Sequence, residues 1–145
     1  MLNKFNGAFT RFTDHPDLGR LLLRLTFGIL VLFHGIAKVN HGVDWISAML
    51  ESIGLPGFIA CGVYIGEVVA PALIIAGWFT RPAAFIFAFN ILVATLLTGM
   101  DKAFTVTKTG AWGLENEALY FLGALCIMLL GAGKYRLPLR NNQLI

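Results

Sequence analysis

Charge is scarce in this sequence. Asp, Glu, Lys and Arg make up 13% of its 145 residues, about half of what a soluble domain carries. The deficit leaves too little polar surface to cover a water-soluble globule. With 57% hydrophobic residues and a mean hydropathy of +0.75, the chain is one that lipid solvates. Cysteine is nearly absent too: Cys61 and Cys126 stand alone, with no C-x-x-C. By helical rise the two are expected about 10 Å apart in depth, beyond the roughly 7 Å between Cα atoms that a disulfide tolerates. Dithiol redox chemistry within the chain is therefore excluded, and both cysteines read as small buried hydrophobes. No Rossmann glycine fingerprint, P-loop, haem-attachment motif or zinc-ligand spacing occurs. The chain itself thus shows no cofactor or metal site, and electrons for any redox step would come from a bound molecule or a partner protein. The net charge of +3 sits at the ends of apolar runs rather than in a basic stripe, which suits anionic lipid headgroups and not nucleic acid.

Long apolar runs are what the sequence has in abundance. Four of them, at about residues 18–39, 58–79, 82–100 and 114–130, approach the roughly 20 residues of helix that a bilayer requires. Asp17 stands where it can cap the first, and Pro56-Gly57 turns into the second. Thr80-Arg81-Pro82 places proline at the start of the third, and Gly131 and Gly133 close the fourth. The first run does not read as a cleaved signal peptide. Its apolar part is too long, Arg20 and Arg24 lie within it, and no A-x-A-like site follows.

The expected fold is all-α: one membrane domain over residues 1–145, a four-transmembrane-helix bundle with short interfacial amphipathic helices. One such helix carries Leu2, Phe5, Phe9 and Phe12 at helical spacing, with Lys4 and Arg11 able to reach headgroups. The other, in the first outer connection, begins at Trp45 and carries Ile46, Met49, Leu50 and Ile53. Both read as membrane-surface anchors, with a partner-binding or lid helix as the alternative.

Lysine and arginine set the orientation. Lys4, Arg11, Arg20, Arg81, Lys134, Arg136 and Arg140 fall on one side, against Lys102 and Lys108 opposite, with Lys38 at the border. The positive-inside rule then puts both termini and the Arg81 turn in the cytoplasm of a bacterial-type inner membrane.

Polar residues inside the spans are expensive in hydrocarbon and mark where function should lie. Arg20, Arg24, Phe27, Val31, His34, Lys38 and His41 recur at steps of four and three, on one stripe of the first helix. Arg20 and Arg24 lie near the cytoplasmic end, where long side chains snorkel to the headgroups. Glu67 is about 13 Å inside the outer end of the second helix, and His34 about 8 Å inside its own. Lys38 sits at the rim. Asn90, Thr95 and Thr98 on the third helix can complete a polar pocket in the outer half. Such a group can hold and protonate a small polar or quinoid molecule. It can equally be a buried ion-pair network that only fixes helix register. Glu115 and Glu117 can join it or simply favour the first turn of the fourth helix. Gly62, Gly66 and Ala70 form a small-xxx-small face for packing within the bundle or in a homo-oligomer, and Pro71 should bend the second helix just beyond Glu67.

Leu22-Leu23-Arg24-Leu25 followed by His34-Gly35-Ile36-Ala37-Lys38 resembles the first-helix signature of the DoxX family of small four-helix membrane proteins. Glu67, Gly77-Trp78-Phe79-Thr80-Arg81 and Trp112-Gly113-Leu114-Glu115 continue the pattern, so the resemblance covers about residues 18–135. One departure is the entry to the fourth helix, where the family places glycine, tryptophan and glutamate closer together. The resemblance implies a respiratory or redox accessory role with quinone, or a membrane oxidoreductase complex, as partner. It does not imply that the chain alone is an enzyme. His34, Lys38, Glu67, Asn90, Trp112 and Glu115 are the candidate ligand-binding residues, and Arg24 and Arg81 the essential charges. The alternatives are a small-molecule or proton-coupled transporter built on the Glu67 cluster, and a non-catalytic membrane scaffold.

Overall fold

Pro16 lacks the N–H that an interior helical residue donates, so it belongs where a helix begins. In the computed structural model the longest helix does begin there. It is α2, Pro16–His41, and it follows an amphipathic α1, Leu2–Thr13. Then come α3 (Asp44–Ser52), α4 (Gly57–Ala76), α5 (Thr80–Thr98) and α6 (Glu115–Leu130). The structure describes residues 2–138, with the side chains of residue 7 and of residues 9–138. Leu2, Lys4 and Phe5 of the first interfacial face, and Arg140 of the orientation argument, lie outside the described side chains. Among the described residues there is no strand, so the all-α class holds. One isolated bridge between Val106 and Trp112 ties the α5–α6 connection.

Among the described residues three helices, α2, α4 and α5, are long and apolar enough to cross a membrane. The sequence led us to expect four. The difference lies in α6, whose 16 residues rise about 24 Å, short of a hydrocarbon core of roughly 30 Å. Asp17 does not cap α2, because Pro16 starts the helix earlier, at His15 as N-cap. Its carboxylate instead accepts from Arg20 Nη1 at 2.8 Å and from the Lys134 backbone N–H at 3.3 Å. That second bond joins the segment after α6 to the start of α2, so these two ends of the bundle coincide.

Pro71 has no N–H to offer the Glu67 carbonyl, and its ring crowds that oxygen. The helix responds with a π turn over Ile65–Val69, in which the Ala70 N–H reaches back five residues to the Ile65 carbonyl. The disturbance expected beyond Glu67 therefore envelops it. At its far end α4 stops at Gly77, whose φ of 79° suits glycine. Gly77 N–H donates to Ile74 O and Trp78 N–H to Leu73 O, a Schellman closure.

The core between helices is narrow. Val31, Ala70, Ile74, Ala83, Ala84, Phe87, Ala88, Ala124 and Ile127 are its buried residues. Small residues dominate because helices in lipid gain by close backbone approach rather than by hiding from water. On α2 the buried line is Arg24, Gly28, Val31 and Gly35. This shifts the stripe read from sequence, since Arg20 is half-buried while His34 and His41 are exposed. A Cβ at Gly28 would stand 2.6 Å from the Ile75 side chain, and one at Gly35 would collide with the Glu67 carbonyl. These two glycines let α2 lie against α4.

One expectation is refined and another corrected. The α3 helix turns Ile46 and Leu50 inward onto Ala60, Val63, Tyr64 and Leu97, while Trp45 and Ile53 of the same expected face stay exposed. Val43 and Ala60 complete a small cluster on the inward side. Cys61 and Cys126 are free and exposed on the bundle surface, not buried. In a membrane chain an outward apolar face is solvated by lipid, so a small apolar residue needs no protein cover.

Candidate functional site

The π turn sets Glu67 facing inward, 4% exposed. Three elements meet there. Lys38, one turn from the end of α2, forms an ion pair with Glu67 through Nζ and Oε1. From α5, Asn90 Nδ2 donates to the same Oε1 at 3.4 Å. Gly66 allows the approach of Asn90, since any Cβ on it would strike that side chain. The second carboxylate oxygen, Oε2, is buried with no hydrogen-bond partner. Lys38 keeps about a quarter of its side chain exposed, so the cluster opens on that side. Tyr64 on α4 donates its hydroxyl to the Lys38 carbonyl at 3.4 Å, adding a tie between α2 and α4.

The structure thus brings Lys38, Glu67 and Asn90 together. His34 is not with them. It is exposed, with its ring edge-on to Tyr120 at 6.1 Å between centroids, beside Phe27–Tyr120 and Phe87–Tyr120 contacts at 6.0 and 6.4 Å. Thr95 and Thr98 spend their hydroxyls on the Ile91 and Ala94 carbonyls of their own helix. Trp112 donates its indole N–H to Ala103 O at 2.7 Å, and it lines an apolar cleft of about 140 Å³ between α5 and α6. Ile91, Thr95, Leu114, Glu117 and Phe121 line the same cleft. An apolar space of about 150 Å³ holds one benzene-sized ring. Glu115 is exposed at the head of α6. Of the small-xxx-small face, Ala70 is buried in the core and Gly66 faces Asn90, whereas Gly62 has nothing against it.

Arg24 forms a second buried polar centre, at the opposite end. It does not snorkel: only 1% of it is exposed. Nε donates to Ile74 O at 2.8 Å, Nη2 to Ile75 O at 3.0 Å, and Nη1 to Ala132 O and to Tyr135 O, the latter at 2.7 Å. Ala76 O receives the Leu137 N–H at 2.9 Å. With the Schellman bonds, every one of the last four carbonyls of α4 is satisfied, the accounting that a helix end away from water demands. A cation at a helix C-terminus is also favoured by the helix dipole. Snorkelling would leave Ile75 O without its donor and would free the Ala132 and Tyr135 carbonyls, which is why burial wins. Arg81, by contrast, is exposed and stands beside Gly131 at the end of α6. The sequence gives no direct signal for the partners of Arg24, since they are backbone atoms 50 to 111 residues away.

An all-α bundle with several apolar crossings, a buried ion pair in one half and a guanidinium-capped helix end in the other defines a multi-pass membrane protein. The family model described as DoxX matches residues 19–100, and the chain belongs to the DoxX family. A protein of Bacillus subtilis (strain 168) named "Putative oxidoreductase CatD" is 31% identical over 88 residues. The match covers 61% of this chain and 65% of that relative, so it spans less than two thirds of the relative's length. No solved structure matches the chain.

Proposed function

We propose that the chain is an accessory protein of a redox system in the bacterial inner membrane, contacting a quinone or a membrane oxidoreductase complex rather than acting as a stand-alone enzyme. The observation that carries this reading is the Lys38–Glu67–Asn90 cluster, an amine–carboxyl pair within apolar helices and on a π turn. Intramembrane ionisable groups are functional candidates by default, and π turns recur at functional sites. The relative's name, with its oxidoreductase label, points the same way. A quinone needs an apolar slot for its ring, which the Trp112 cleft has the size to supply, and a donor at a carbonyl oxygen, which Lys38 has the chemistry to supply. His34, Arg24 and Arg81 complete the residues proposed as essential, and Glu115 is proposed only as a ligand-binding residue.

In this reading α6 is a fourth, short span, and both termini are cytoplasmic. The bond between Lys134 and Asp17 supports an even number of crossings, because it joins the segment after α6 to the start of α2. Lys and Arg enrichment at that end supports the orientation.

The test is lipid extraction and mass spectrometry of purified protein, together with quinone titration by tryptophan quenching in nanodiscs. Co-purifying quinone and saturable quenching are expected. Absence of both refutes the quinone reading and leaves a membrane scaffold. Proton-driven solute uptake by proteoliposomes would replace it with a transporter.

A further inference from the structure

A cavity of about 290 Å³ opens at the end of the bundle where α2 begins. It is lined from the α1–α2 junction by Asp14, His15 and Asp17, and from the segment after α6 by Lys134 and Tyr135. Asp17 is committed, since Arg20 Nη1 and the Lys134 backbone N–H both donate to its Oδ1. The second of these bonds fixes the Lys134 main chain. Its ammonium stands 5.1 Å from the centre of the Tyr135 ring rather than on a carboxylate. Among the described residues the ion pairs are Arg20–Asp17 and Lys38–Glu67. Asp14 and Lys134 therefore line one cavity with opposite charges that do not meet. What fits between them is a molecule with an anionic end and a cationic end of its own.

We infer, independently of the redox reading, that this cavity binds the headgroup of a phospholipid bearing a primary ammonium, of the phosphoethanolamine type. The phosphate accepts from Lys134 Nζ and from a ring N–H of His15, and the ammonium, two carbons away, donates to Asp14. Position favours a lipid. Residues 14–17 precede the apolar run of α2, a helix long and apolar enough to cross a membrane, and that run starts at Leu18. Leu18 also lines the cavity, and it is exposed like Tyr135. The cavity thus opens where headgroups meet acyl chains, with an apolar lip beside it. The lining also selects the headgroup. A trimethylammonium has no N–H for Asp14, and the Tyr135 ring that could face it already carries Lys134. A glycerol headgroup brings no cation, so it sets a net negative lipid against Asp14. Space suffices, since about 150 Å³ holds a benzene-sized ring and this cavity is about twice that.

The experiment uses the full chain, stripped of lipid in detergent. Native mass spectrometry titrates phosphatidylethanolamine, phosphatidylcholine and phosphatidylglycerol of matched acyl chains. Wild type is compared with Asp14→Asn and Lys134→Gln. Both side chains are exposed, and Lys134→Gln keeps the backbone N–H on Asp17, so the fold should survive each change. We expect wild type to prefer the ethanolamine lipid over the choline lipid about fivefold, the upper range for one exposed charge pair. Asp14→Asn should erase that preference, and Lys134→Gln should weaken both lipids about fivefold. Equal binding of the two by wild type, a preference that survives Asp14→Asn, or binding untouched by Lys134→Gln would overturn the inference. Phosphatidylglycerol binding as tightly as the ethanolamine lipid would overturn it too, in favour of a general anionic site. Soluble glycerophosphoethanolamine is then added as competitor. No displacement at equal concentration supports a lipid, and full displacement would overturn the lipid assignment in favour of a free phosphate ester.

Discussion

Replacing Arg24 by methionine should unfasten one end of the bundle. The substitution keeps most of the aliphatic volume and removes all four hydrogen bonds, to Ile74, Ile75, Ala132 and Tyr135. The four are not equal. Ile74 O keeps the Gly77 N–H, and Ala132 and Tyr135 lie in the partly buried terminal segment, where water can replace the guanidinium. Ile75 O loses its side-chain donor near the end of a helix facing lipid. A charged donor bond is worth about 1.5–3 kcal/mol and an abandoned buried acceptor costs about 1–3 kcal/mol. The loss should therefore total about 3–5 kcal/mol rather than four full bonds. At roughly 3 °C per kcal/mol for a chain of this size, thermal unfolding in detergent should fall by about 10 °C. The segment at residues 131–138 should also become sensitive to protease before global unfolding. Arg24→Lys retains the charge but has a shorter reach and no planar fork, so it should recover only part of the loss. An Arg24→Met protein that melts within about 2 °C of wild type, with an equally protected terminal segment, would refute the capping argument.

Further outcomes follow from the same geometry. Gly35→Ala should cost about 3 kcal/mol, the upper end for overpacking, because its Cβ meets the Glu67 backbone carbonyl, which cannot rotate away; an unchanged melting temperature would count against the close α2–α4 approach. Glu67→Gln should lower stability by about 2 kcal/mol, less than for a fully enclosed pair because Lys38 is partly exposed and can reach toward headgroups. Lys38→Met combined with Glu67→Met should recover much of that loss, and a melting curve unchanged in the single variant would end the pairing argument. Periplasm-active reporters fused after Gly42 or Lys108 should be active, and those after Arg81 or at the C-terminus silent; reversed activity would overturn the orientation and a mixed pattern the four-span topology.

The linear sequence determines the solvent and the class of this protein. Scarce charge and long apolar runs exclude a water-soluble globule whatever the packing, since a helix satisfies its own backbone in lipid. Proline and glycine act on their own turns, so helix limits lie in local chemistry, although the sequence alone puts the first limit at Asp17 and carries the second helix to residue 79: Pro16 opens α2 and Gly77 closes α4. Glu67 stood out for the same reason, as a carboxylate among apolar neighbours needs no partner to be conspicuous. Tertiary structure alone decided the rest. Lys38 and His34 lie one turn apart on α2, and periodicity treats them alike. Only the packing of α4, brought close at Gly28 and Gly35, turns Lys38 to Glu67 and leaves His34 against Tyr120. Arg24 looked like a snorkelling residue because its partners are carbonyls, which every residue carries and no sequence pattern marks. The direction of α3's apolar face was likewise undetermined, since lipid and the Ala60–Leu97 cluster accept the same side chains. In a membrane the hydrophobic pattern no longer separates inside from outside. Close approach and the pairing of polar groups then make that choice, and both depend on residues distant in sequence.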